Sequence, residues 1–377
     1  MALDDLYGKI LASSVNVIRK HTILPMLCNH VLMGSDTQSA PMGGIAEVMI
    51  PPEFAVRDVV PGSVPPPSDA DPAPSTVKVP LDYFKEVNFP LTEKHVQLLE
   101  NAGREAPMFL ENAGAAMADV ISTSIAEQYK GIYGFTGVPG VTPFAIAPTD
   151  AQTARTTLVK QKCPKSMRHM VIDPDAYGNA IGLAAFRDIS QSADSAPITE
   201  GEVGRKLGFY WHEEQNLQRH VNPNGTPAGW LVNGAVALGA SSVLIDTGAN
   251  APVVGDIFTV AGDSQTYAVT SFGAGVMTFA PGAVVAWVDN SAIAFKAAHT
   301  VNLAFNPYAF AFASRPAGRL NIPELQQGKV LATWVDDMTG VVLRLEIKDE
   351  YHQTGFYLSC LWGVELALPR FAMRIAG

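Results

Sequence analysis

The densest group of titratable side chains is His212-Glu213-Glu214. A histidine followed by glutamate can open a zinc-peptidase helix, where a second histidine four residues on completes the metal pair and the glutamate serves as base. Asn216 stands at that place, so the chemistry is missing and a solvated polar stretch is expected. The other histidines, His21, His30, His95, His169, His220, His299 and His352, are scattered, and none stands at ligand spacing from another. Cys28, Cys163 and Cys360 are widely separated and odd in number, which fits neither a disulfide framework nor a zinc knuckle. Cys163, ahead of Pro164, reads as a packed thiol rather than a nucleophile. No serine lies in a nucleophile elbow. Gly273-Ala274-Gly275 falls between two β-rich runs, whereas a dinucleotide cradle joins a strand to a helix, so it is expected to be a turn. The glycines from Gly134 to Gly140 lack the lysine of a phosphate loop. Asp173/Asp175 and Asp336-Asp337 read as loop charges in solvent rather than a cation site. No enzyme, metal or cofactor is expected.

The elements around these residues follow from periodicity. Leu3, Leu6, Ile10 and Val17 recur at helical spacing and predict a short amphipathic N-terminal helix. Leu110, Ala113, Met117, Val120, Ile121 and Ile125 predict a long helix over Pro107–Lys130, closed by the following glycines. A second helix is expected over Asp150–Lys162, capped by Thr149 or Asp150. A third is expected to start at Pro174 with Asp173 as cap and to run to Phe186. Between Gly43 and Thr92, strand-like Ile45–Ile50 and Thr76–Phe89 flank a tip holding Pro61, Pro65, Pro66, Pro67, Pro72 and Pro74. That predicts a long projecting hairpin whose prolines discourage further pairing, in preference to an inter-domain linker. From Gly229 to Ala298 there are four aspartates and one lysine, and short β-rich runs (Ala235–Leu238 and Ser242–Asp246 among them) are separated by turn residues. A compact all-β insertion is expected there. From His299 to Ile375 the sequence is again strand-rich.

Only 16% of the 377 residues are charged, against a usual share of about a quarter. A surface with so few charges suits repeated protein contacts as well as a deeply buried monomer. The net charge of −10 and the lack of any Lys/Arg run longer than Arg19-Lys20 or Arg205-Lys206 argue against tight binding to duplex nucleic acid. No stretch is long and apolar enough to span a membrane, and the first eighteen residues predict no secretory leader.

Asn302-Leu303-Ala304-Phe305-Asn306-Pro307, Ala309 to Pro316, Val341 to Asp349, Leu358 to Gly363 and Pro369 to Ile375 resemble segments of phage coat proteins. So do Gly204 to Val221 and Gly255 to Gly262. The chain resembles the coat-protein family of short-tailed double-stranded DNA phages that carry an inserted β domain. The resemblance implies an α+β fold, the tailed-phage major capsid fold of HK-ninety-seven type. It implies an N-terminal arm (1–35), an extended loop (36–92), a peripheral domain with a spine helix (93–149 and 341–377), an axial domain (150–228 and 299–340) and an inserted domain (229–298). It also implies hexamers and pentamers of the chain, a scaffolding protein, a portal at one vertex, room for a decoration protein, and packaged DNA without sequence-specific contact, in a virion assembled in the host cytoplasm. Glu47, Asp58, Lys78, Lys85 and Glu86 are expected to contact neighbouring copies. The rivals are an extracellular adhesin or carbohydrate-binding β protein, and a hydrolase at His212.

Overall fold

The computed structural model describes residues 23–32, 45–50, 75–92, 105–188, 200–316 and 329–377. The expected N-terminal helix, Asp58 and the proline-rich tip lie outside them.

The long strand Gln353–Leu366 organises the main sheet, of six strands. One of its edges is divided. Val342–Glu350 pairs with its first part and Phe310–Arg315 with its last, and the two meet where the Val342 N–H donates to the Ser314 hydroxyl at 3.1 Å. Tyr83–Thr92 occupies the opposite edge, from Gln353 to Trp362. Lys329–Val335 lies outside Val342–Glu350, and Asn29–Leu32 runs parallel beside Phe310–Arg315. The helix Glu105–Ala126 packs on this sheet through Ala113, Met117, Ile121 and Ile125. The indole of Trp362 donates to the Ser124 hydroxyl at 2.9 Å, which in turn donates to the Ile121 carbonyl. The helix ends earlier than expected, because a tighter 3-10 turn takes over at Glu127–Gly131. Val120, expected on its apolar stripe, is exposed.

The expected hairpin is shorter than its strand signal. Ile45–Ile50 pairs antiparallel with Ser75–Pro80 only, and Leu81-Asp82 interrupts the extended run. The remainder, Tyr83–Thr92, belongs to the main sheet, where Tyr83 stacks on Trp362 and Phe89 on Phe356. The hairpin's base does not project. Alternation along Ile45–Ile50 puts Ala46, Val48 and Ile50 on one face, and with Val79 and Leu81 that face packs on Ala311, Ala313 and Leu361.

A second, mixed sheet is ordered Phe135–Gly137, Ala372–Ala376, His299–Phe305, His169–Ile172, Phe209–Glu213, Arg205–Lys206, with Arg219–His220 beside His299. The helices Thr149–Lys160 and Pro174–Gly182 flank it. Pro148, not Thr149 or Asp150, caps the first, without a side-chain hydrogen bond. Asp173 caps the second, but its carboxylate does not close the turn; its N–H instead donates to Asn302 Oδ1 at 2.7 Å. That helix stops at Gly182, and a separate turn, Ala184–Arg187, holds Phe186 against Trp211.

A third sheet runs Leu231–Asn233, Ser242–Asp246, Val276–Ala280, Tyr267–Gly273, Ile257–Val260, Ile293–Phe295. Its end strands meet: Leu231 bridges Ala292, and the Ile293 N–H donates to the Trp230 carbonyl at 3.0 Å. The sheet therefore closes into a small barrel, which removes its edges. Phe258, Tyr267, Phe279 and Trp287 pack edge-to-face inside, in a core separate from that of the rest of the chain. Ala235–Leu238 makes only the Val236–Trp287 bridge rather than a strand. Ala274-Gly275 is a tight turn between two strands, both residues with positive φ, the conformation a two-residue hairpin loop requires.

Candidate functional site

Three places gather polar groups, and each tests a different function. The first is the His212 cluster. Parallel pairing of His169–Ile172 with Phe209–Glu213 sets His169 beside His212, Nδ1 to Nε2 at 3.1 Å. One proton serves this contact, since two N–H groups cannot face each other at that distance. Burial pulls both imidazoles down, with each other's proximity adding to the effect on His169, which falls to about 4. Glu213 points to solvent, and Glu214 is buried, accepting from the Asn216 N–H, with its carboxyl pushed up by burial. The sequence offered no sign of the histidine pair, because its members lie 43 residues apart and only strand register joins them. Among the described residues, no hydroxyl or thiol nucleophile bonds to either ring, and no three metal-binding side chains converge there.

The second is a buried chain where the barrel meets the rest of the molecule. Asp256 accepts from His220 Nε2 at 2.7 Å, from Asn222 Nδ2 at 3.1 Å and from the Val253 N–H at 2.8 Å. A carboxylate only accepts, so Nε2 carries the proton, and Nδ1 is left to the Tyr129 hydroxyl at 3.0 Å. Arg374 lies over the Tyr129 ring and donates to the carbonyls of Gly255 and Lys130. Burial lowers Arg374 to about 9, which keeps it charged at neutral pH. His299, its ring tilted against that of His220, is lowered by burial to about 4. Such a Tyr–His–Asp relay has the order of an activated nucleophile. Here Tyr129, His220 and Asp256 are 5%, 3% and 1% exposed, so no substrate reaches them. Its role is to seat the barrel on the 3-10 turn and the last strand.

Asp336 and the three cysteines are structural too. Asp336 is buried rather than solvated, and its carboxylate accepts from the N–H and hydroxyl of Thr339, fixing the turn between two strands. Burial raises the thiols of Cys28, Cys163 and Cys360, leaving all three protonated.

The third is the set of expected contact residues. Glu47 and Lys78 are directly opposed across the hairpin and exposed, on the face away from Ala46 and Val79. Lys85 and Glu86 are also exposed but lie on Tyr83–Thr92, opposite Cys360 and Ser359 of the main sheet, and not on the hairpin. The fold thus divides these four between two elements.

With this architecture in view, the chain overlays the capsid structure of cyanophage P-SCSP1u with a TM-score of 0.50 at 14% identity, covering 94% of this chain and 88% of that one. The fold is shared. A structure from Mycobacterium phage Che8 overlays with a TM-score of 0.49 at 14% identity, covering 94% and 91%. No family model and no curated protein matches the sequence. The likeness is therefore one of α+β fold over most of the chain, without a sequence match to the narrower short-tailed coat family.

Proposed function

We propose that the chain is the major capsid protein of a tailed double-stranded DNA phage, assembling as hexamers and pentamers into an icosahedral head, with no catalytic role. The observation that carries this is the fold likeness to a cyanophage capsid across 94% of the chain. The scarcity of charge and the exposed Ile146, Leu238 and Val288 support it, since a shell is held by many weak repeated contacts. In this reading the chain is of the short-tailed coat type. Residues 36–92 hold the extended loop, Glu105–Ala126 is the spine of the peripheral domain, 150–228 with 299–340 form the axial domain, and 229–298 is the insertion. Glu47, Asp58, Lys78, Lys85 and Glu86 touch neighbouring copies. A scaffolding protein, a portal, a decoration protein and packaged DNA are the remaining partners, and the product resides in the virion.

The test is assembly. Purified chain, alone and with its scaffolding protein, is examined by sedimentation and electron microscopy. Closed shells of uniform diameter are expected. A protein that stays monomeric at high concentration with its scaffold overturns the reading, and specific retention on immobilised glycans would favour the adhesin.

A further inference from the structure

The hairpin formed by Arg205–Lys206 and Phe209–Glu213 ends the second sheet, and two grooves of opposite charge meet on it. One, of about 390 Å³, runs along the helix Thr149–Lys160 to the hairpin's Leu207 turn. Its charged lining is Arg155, Lys160 and Lys165, all exposed, with no carboxylate among the described lining residues. The other, of about 790 Å³, is lined by Glu200, Glu202 and Glu213, again exposed. Among the described residues its one cation is Arg205, which lies over the Tyr210 ring, and burial lowers the His212 imidazole there. The sequence hides this segregation, because the three cations come from a helix and the loop after it while the three anions come from a separate loop and a strand.

We propose that the two grooves are the halves of one head-to-tail interface, in which the basic groove of one copy receives the acidic groove of the next. This rests on the capsid reading and names the surface that closes its rings. Two different patches on the same chain, complementary in charge, make a heterologous contact, and a heterologous contact closes into a ring when its rotation divides the circle. A second copy is favoured over a nucleic acid because the complement of the basic groove lies on the same chain. The contact steers association and excludes wrong registers, since like charges brought together are penalised.

The test uses full-length chain under conditions where the parent forms shells. K160E/K165E makes both grooves acidic, and E202K/E213K makes both basic. Each is expected to lower the yield of shells about tenfold at low salt, and less at high salt as the charges are screened. The quadruple variant, with both grooves reversed, is expected to recover. An equal mixture of the two double variants pairs alternately, so rings of six form whereas rings of five, being odd, do not. All four side chains are exposed, and unchanged circular dichroism melts confirm that each variant folds. Normal shells from both double variants, or no recovery in the quadruple, overturn the interface while leaving the capsid reading intact. Loss in K160E/K165E alone, with E202K/E213K normal, assigns the basic groove to a polyanion and also overturns it. Failure of the parent to assemble counts against the capsid reading itself.

Discussion

Asp256 gathers three donors from two segments of the chain, and its removal takes that acceptor from each of them. Asp256→Ala leaves His220, Asn222 and the Val253 N–H without their acceptor. Leaving a buried donor without its acceptor costs about 1–3 kcal/mol, which urea unfolding of the purified variant would register. His169 gives a pH-dependent signature. Its folded pKa of about 4 lies below the unfolded value near 6.5. Between those values the unfolded chain binds a proton that the folded chain refuses, so stability falls as pH drops through that window. Comparing melting temperatures of the parent and His169→Gln from pH 7 to 4 cancels the titrating groups outside the His169–His212 pair. The parent is expected to lose more on acidification, and equal losses would remove His169 from the account. Neither the relay nor the histidine pair was legible in the sequence. Spacing rules find ligands brought together by one helix or loop, whereas strand register joins the histidine pair and packing of a 3-10 turn, a strand and a loop joins the relay, across separations of 36 to 91 residues.

Elements were read more successfully than their partners. Helical periodicity located Glu105–Ala126, and strand-like composition marked both Ile45–Ile50 and the run from Thr76 as extended. What alternation cannot specify is which strand lies alongside, and so Tyr83–Thr92 was assigned to the hairpin rather than to a strand some 270 residues later. Lys85, Glu86 and Pro90 on that strand are features that blunt an exposed edge. The hairpin's docking yields a contrast between its faces. Val48→Asp places a charge among Val79, Ala311 and Leu361 and should destabilise the monomer by several kcal/mol, seen as a lowered melting temperature. Lys78→Glu faces Glu47 across the pair, where like charges cost under about 1 kcal/mol, so the monomer should stay folded while shells weaken, more at low salt than at high. Gly363 is where the main sheet meets the hairpin, and a Cβ there would run into the Pro80 carbonyl oxygen. Gly363→Ala should therefore lift the hairpin from the sheet, detectable as faster amide exchange over Ile45–Ile50.

At the scale of the molecule, the barrel has its own core and closed hydrogen bonding, yet Asp256 and Gly255 are tied to His220 and Arg374 outside it. A fragment spanning 229–298 should fold into a β structure that melts cooperatively, but below the temperature at which the same residues melt in the whole chain. A disordered spectrum would show that the seat, not the core, holds it together. The sparse charge and regular turn residues made this region legible in the sequence as all-β, whereas its closure was not, because that depends on bridges from Leu231 and Val236 that leave no periodic trace. The long strand Gln353–Leu366 has a mechanical consequence. Tyr83–Thr92 follows the docked hairpin directly and lies antiparallel to it over ten residue pairs. A pull on the hairpin along that axis loads those backbone hydrogen bonds together, in shear, instead of opening them one after another like a zip. Tension delivered from outside would therefore meet the molecule along its stiffest direction and pass through Trp362 into the helix behind it.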